Sequence, residues 1–188
     1  KPDRRQRQMC IRDRAASDES ELVKMINTSI DINDRPSAFR YPRGNGIGIE
    51  LPNLNEKLEI GKGRIIKEGK NVALINFGAR LNECLIARDN LIKKGINLTL
   101  VDARFVKPLD ENLIWQIATD HEALITIEEG SIGGFGSHVA QFLNEKNLLD
   151  SNLKFRSMFL PDRFIDHDKP DLMYKYCLLY TSPSPRDL

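Results

Sequence analysis

Apolar residues first fall at helical spacing in Leu22, Val23, Met25, Ile26 and Ile30, behind the acidic run Asp18-Glu19-Ser20-Glu21. Acidic side chains offset the positive end of a helix, so this pattern predicts a helix ending near Asp31, with Ser17 placed to cap it. Asn33-Asp34-Arg35-Pro36 reads as a turn, and Ser37 to Tyr41 as a short strand stopped by Pro42. Gly44 to Lys62 has no sustained period and reads as a linker. Beyond it, short apolar runs alternate with amphipathic stretches. Val72–Phe77, Leu98–Val101, Ala123–Ile127 and Leu153–Met158 are expected strands; Leu81–Leu91, Glu111–Ala118 and Gly136–Asn144 are expected helices. That alternation predicts an α/β fold with a mostly parallel sheet covered on both faces, a three-layer arrangement. The expected organisation is the end of one domain over 15–45, a linker over 46–61 and one complete α/β domain over 62–176.

The two ends do not share this patterning. Arg4-Arg5-Gln6-Arg7-Gln8-Met9-Cys10-Ile11-Arg12-Asp13 has no apolar period and no signal-peptide core. It resembles one reading frame of a sequencing adaptor. Cys177-Leu178-Leu179-Tyr180-Thr181-Ser182-Pro183-Ser184-Pro185-Arg186-Asp187 resembles the same adaptor read in the opposite orientation. Residues 1–14 and 177–188 are therefore expected to be foreign scars outside the fold. A basic nucleic-acid arm or a transit peptide is the alternative for the N-terminal run.

Setting the ends aside changes the charge. They hold seven of the 28 Lys and Arg and three of the 27 Asp and Glu, so residues 15–176 carry 21 against 24, a net −3. No basic block remains for nucleic acid. Only Cys84 remains of three cysteines, which excludes a disulfide framework and fits a reducing, intracellular compartment. No apolar stretch approaches the roughly 20 residues needed to span a bilayer as a helix.

The densest polar cluster is Arg40-Tyr41-Pro42-Arg43-Gly44-Asn45. Alternation along a strand points Arg40 and Tyr41 to opposite faces. Pro42 stiffens the exit from the strand, and Gly44 lets a ligand approach the backbone beside Arg43. A guanidinium there suits a phosphate or carboxylate, although spacing alone favours an arginine paired with a neighbouring carboxylate.

Pro36 to Asn45 is similar to the segment that closes the pyrimidine-binding domain of deoxyxylulose-phosphate synthases, a transketolase-like thiamine diphosphate enzyme family. Ile60-Gly61-Lys62-Gly63, Asn76-Phe77-Gly78, Val101 to Asp110, His121-Glu122, Thr126 to Gly136 and Leu160 to His167 follow in the family's order. The resemblance implies the end of a pyrimidine-binding domain over 15–45 and a transketolase C-terminal domain over 62–176. It implies decarboxylation of pyruvate on thiamine diphosphate, with Mg2+, and condensation with glyceraldehyde 3-phosphate for isoprenoid, thiamine and pyridoxal precursors. It further implies a cytoplasmic homodimer, and it assigns Arg43 to the acceptor's phosphate, with Arg40 as a second candidate. The family's Gly-Asp-Gly magnesium motif and its cofactor-activating glutamate lie upstream of Ala15. No catalytic, cofactor-binding or metal-binding residue is thus expected here, and the chain alone is expected to be inert. A non-catalytic dimerisation or regulatory domain is the alternative, as is part of another transketolase-like thiamine enzyme.

Other polar features read as structural. Gly130-Ser131-Ile132-Gly133-Gly134-Phe135-Gly136 matches neither a dinucleotide fingerprint nor a P-loop, and is expected to be a tight strand-to-helix turn. Glu128 and Glu129 should face opposite sides of a strand, one supporting that loop or a subunit contact. His121 is expected as a cap or surface residue, and His138 as a packing partner of the glycine loop. Asp166-His167-Asp168 is too contiguous to wrap a metal. Cys84 is expected to be inert, and Trp115 to be core or interface. The Leu22–Ile30 helix is expected to expose an apolar face.

Overall fold

The computed structural model describes residues 11–42 and 44–161. In chain order the fold runs β1 (Arg12–Ala15), α1 (Glu19–Ile30), β2 (Ser37–Arg40), β3 (Arg64–Lys67), β4 (Val72–Phe77), α2 (Leu81–Ile92), β5 (Thr99–Asp102), β6 (Phe105–Lys107), α3 (Glu111–Asp120), β7 (Ala123–Ser131), α4 (Phe135–Glu145) and β8 (Lys154–Leu160).

β4 lies at the centre of a five-stranded sheet ordered β3-β5-β4-β7-β8. The β5, β4, β7 and β8 neighbours pair in parallel, and β3 runs antiparallel to β5. A central parallel strand is covered on both faces, which explains why β4 is almost continuously apolar. Its side chains nevertheless alternate. Ala73, Ile75 and Phe77 enter one core with Ile114 and Ile117 of α3 and Val139 and Leu143 of α4. Leu74 enters the other with Leu81 and Cys84 of α2. Ile75, Leu100, Leu124 and Leu143 are essentially inaccessible, and each such side chain contributes about 1.5–3 kcal/mol. The expected α/β architecture is the observed one, with three additional short strands, β1, β3 and β6. Arg64-Ile65-Ile66-Lys67 and Phe105-Val106-Lys107 are too short to carry a period of their own.

A second sheet, β2-β1-β6, has β1 parallel to β2 and antiparallel to β6. Under it, Met25 of α1 packs with Ala16, Leu58 and Phe105. β6 comes from the segment after the linker yet pairs with β1, so the two parts of the chain interleave. Arg12, Asp13 and Arg14 supply three of the four residues of β1, and Arg14 is fully buried. Sheet pairing uses backbone N–H and C=O groups that every non-proline residue carries, so such a slot accepts side chains unsuited to it. Residues 1–10 and 162–188 lie outside the described residues.

The cap of α1 also differs from the expectation. Asp18 accepts from the Glu21 amide at 2.8 Å, while the Ser17 hydroxyl donates to Asp102 at 2.9 Å. Met25 is buried, whereas Ile26 and Ile30 are exposed, as the pattern predicts. Among its described residues, the segment between β2 and β3 contains no helix or strand but lies along α1. Asn27 Nδ2 donates to the Leu54 and Glu56 carbonyls at 2.7 and 3.1 Å, and the Leu58 amide donates to Thr28 Oγ1 at 2.8 Å.

Candidate functional site at the sheet junction

The carboxyl ends of four strands meet where the two sheets join. Ala15 of β1, Arg40 of β2, Phe77 of β4 and Glu129 of β7 share the wall of a cavity of about 120 Å³. Beside it lies a larger cavity of about 600 Å³, lined by Ser17, Asp18, Tyr41, Gly44, Arg80 and Glu83 among others. In open α/β sheets ligands sit in crevices outside the carboxyl ends of strands, so this junction is the place to look for a site.

Arg43 lies outside the described residues; Pro42 and Gly44, its neighbours in sequence, both line the larger cavity. Arg40 is half exposed and already engaged. Its Nε donates to Asp13 Oδ1 at 3.1 Å, its Nη2 donates to Asp13 Oδ2, and its guanidinium stands 5.5 Å from the Phe77 ring centre. Tyr41 is largely exposed and stacks at 6.2 Å on Phe39.

Charges around the cavity are arranged in pairs. Arg80, just before α2, donates from Nε to Glu129 at 2.8 Å and from Nη1 to Glu83 at 2.7 Å. Glu19, at the start of α1, accepts the amides of Ile47, Gly48 and Ile49 at 3.2, 2.6 and 3.0 Å.

Beneath the cavity, a buried ionic cluster fastens α1 to the five-stranded sheet. Arg104 donates to both Glu21 carboxylate oxygens, at 2.7 and 2.9 Å. Arg64 reaches Glu21 at 3.0 Å and Asp102 at 3.0 Å, and Asp102 also accepts from Ser17. Glu21 and Asp102 are buried. Burial pushes the Asp102 carboxyl above its ordinary range, against the opposing pull of Arg64 and Ser17. Such a cluster holds geometry more than it adds stability, because desolvation offsets much of the attraction.

The glycine loop has a different occupant from the one a phosphate motif would take. Glu128 is buried, and its carboxylate accepts from the Phe135 and Gly136 amides at 2.9 and 2.8 Å. The positive end of α4 is thus filled by a side chain of the protein itself. A Cβ at position 134 would lie 2.1 Å from Glu128 Oε2, which is why glycine stands there. Glu129 faces the other way, toward Arg80, as the alternation predicts.

The remaining candidates are structural. His121 ends α3: its Nδ1 faces the Ile117 carbonyl at 2.9 Å and its Nε2 faces Thr99 Oγ1 at 2.7 Å. With a carbonyl at Nδ1, that nitrogen carries the proton and Nε2 accepts from the hydroxyl. Burial, then Lys107, lowers the His138 pKa, with Glu128 and Asp13 opposing. Burial pushes the Cys84 thiol up to about 12, consistent with an inert packing residue. Trp115 is half exposed, so it is not core in this chain. Among the described residues no group of three or more His, Cys, Asp or Glu could hold a metal ion. Asp166, His167 and Asp168 lie outside the described residues. Among the described residues no helix is long and apolar enough to cross a membrane. Sequence reading passes over Glu19, Arg80 and the Glu21–Arg64–Asp102–Arg104 cluster, because, the Arg80–Glu83 contact aside, most of their partners are distant in sequence.

Residues 61–182 match the family model of the transketolase C-terminal domain, so the chain belongs to that family. Among solved structures it is similar to one described as a split gene transketolase, inactive beta4 tetramer. The TM-score is 0.75 with 25% identity, over 89% of this chain and 53% of that one. The chain therefore spans about half the length of that relative.

Proposed function

We propose that this chain is the C-terminal part of a 1-deoxy-D-xylulose-5-phosphate synthase. The complete enzyme would condense the two-carbon fragment of pyruvate with glyceraldehyde 3-phosphate. Membership of the transketolase C-terminal domain family supports a thiamine-dependent transferase. The ordered run from Pro36-Ser37-Ala38-Phe39-Arg40-Tyr41-Pro42-Arg43-Gly44-Asn45 to Thr126–Gly136 carries the narrower reading. In it, Arg43 holds the acceptor's phosphate at the junction cavity, whose wall includes its neighbours Pro42 and Gly44. A permanently charged fork of donors suits a dianionic phosphate. Arg40 is the weaker candidate, because Asp13 engages its charge.

The described residues do not fit the metal–diphosphate end of thiamine diphosphate. Glu128 fills the α4 N-terminus that would otherwise attract a phosphate, and no cluster of metal-binding side chains accompanies it. In this reading the cofactor's chemistry is supplied by residues outside this chain, and the chain alone is inert. Its role in the complete enzyme is to form one side of the acceptor site and to brace it from below.

A second reading is the C-terminal part of a transketolase, favoured by the likeness to the split-gene protein. The donor substrate separates the two. Arg43→Ala in the enzyme with its upstream region restored should raise KM for glyceraldehyde 3-phosphate while pyruvate handling changes much less. Equal losses for both substrates would remove the phosphate role. Turnover of a ketose phosphate donor in place of pyruvate would favour transketolase.

A further inference from the structure

The 44–47 segment forms part of the wall of the larger junction cavity, together with Ser17, Tyr41 and Arg80. It contains no helix or strand, and ladder hydrogen bonds do not hold it. Among the described residues, one carboxylate holds it. Glu19 Oε1 accepts from Gly48 and Ile49 at 2.6 and 3.0 Å, and Oε2 accepts from Ile47 at 3.2 Å. Three successive amides turned inward form a concave anion-binding nest, here wrapped around a side chain of the protein itself. A Cβ at position 46 would lie 2.7 Å from that carboxyl group, so glycine permits the close wrap. The carboxyl is correspondingly held below its ordinary range, by its own backbone amide first and then by those of Gly48, Ile49 and Ile47.

We propose that Glu19 is a positioning residue: through the amides of Ile47, Gly48 and Ile49 it latches the 44–49 strap against α1 and so shapes the acceptor side of the junction cavity. The proposal deepens, and rests on, the reading of that cavity as the acceptor site. Glu19 is anchored from below, because α1 is fixed by the Glu21–Arg104 pair two residues further on. A rigid helix thereby transmits its position to an irregular strap. The latch needs both carboxylate oxygens; a carboxamide offers one acceptor and no charge.

The test has two arms. In the full chain, amide hydrogen exchange is followed residue by residue for Glu19→Ala and Glu19→Gln. The alanine variant should speed exchange at Ile47, Gly48 and Ile49 by at least about tenfold, the effect of losing a charge-assisted hydrogen bond. Glutamine should fall between, Met25 and Leu100 should be unchanged, and added sodium acetate should restore part of the protection in the alanine variant. Unchanged exchange at 47–49, or equal acceleration at Met25 and Leu100, overturns the latch. In the enzyme with its upstream region restored, Glu19→Ala should raise KM for glyceraldehyde 3-phosphate several-fold with little change in kcat, and Glu19→Gln should recover part of the loss. An unmoved KM for Glu19→Ala beside a raised one for Arg43→Ala overturns the positioning role alone. An unmoved KM in both variants overturns the acceptor-site reading itself.

Discussion

Arg104 grips Glu21 with two parallel hydrogen bonds, Nε to Oε2 at 2.7 Å and Nη2 to Oε1 at 2.9 Å, across 83 positions of sequence. The pair joins the first helix to the loop between β5 and β6. Removing one partner strands a buried charge. Arg104→Ala should therefore destabilise the fold by about 3 kcal/mol in urea denaturation, softened by Arg64 at 3.0 Å from the same carboxylate. A loss below about 1 kcal/mol would show the cluster to be dispensable.

Arg14 presents the opposite case. It is fully buried and donates to Ser37, Ser29 and the Met25 carbonyl, but among the described residues no carboxylate forms an ion pair with it, Asp13 acts on it only from a distance, and its Nε has no hydrogen-bond partner. Phe39 and Phe105 stand within 6.0 Å. Replacing an imperfectly paired buried charge with an apolar residue of similar length is often stabilising, so Arg14→Met should gain about 1 kcal/mol or more. A lower midpoint for the methionine variant would show that the three donated bonds outweigh the desolvation.

Glu128→Gln keeps one acceptor for the Phe135 and Gly136 amides and loses the charge facing the helix end. It should cost about 1–2 kcal/mol. Gly134→Ala, which drives a methyl group into the same carboxylate, should cost about 1–3 kcal/mol. Thermal melts of both variants check this. A neutral glycine variant would mean that the loop yields more readily than its packing implies.

The depressed His138 pKa has a defined sign. Between that lowered value and the ordinary 6.5, the unfolded chain binds more protons than the folded one. Stability from this group is therefore fully present above pH 6.5 and is lost as pH falls through the folded value. Histidine NMR titration should find His138 below 6.5, and His138→Gln should flatten the slope of stability with pH in that window. A titration at or above 6.5 contradicts the burial argument.

Cys84 should resist thiol reagents at pH 8 in the native chain, because its thiol is buried and pushed up to about 12. Mass-mapped labelling should become rapid only in denaturant. Fast native labelling at this position would indicate local opening of α2.

The repeating apolar patterns made much of the fold legible. Val72–Phe77 has the same limits in sequence and structure, and the three helices after it match within about two residues, as boundaries usually do. Charged short segments were illegible: nothing about Arg64-Ile65-Ile66-Lys67 distinguishes a strand from a loop until β5 lies beside it. Of the candidate site, the sequence marked Arg40 to Asn45 through the stiffness of Pro42 and the openness of Gly44. It could not show that Asp13 occupies Arg40 or that Glu19 holds the strap, since both contacts span more than 25 positions.

Periodicity alone was enough to determine the α/β class, the order of the main elements and the opposite facing of Glu128 and Glu129, because each depends on residues a few positions apart. Tertiary structure alone decided that Arg12–Arg14 enter a sheet and that four charges lock α1 to β5. Those outcomes turn on which backbone amides and charges are left without water when the layers close, and only the closed layers determine that.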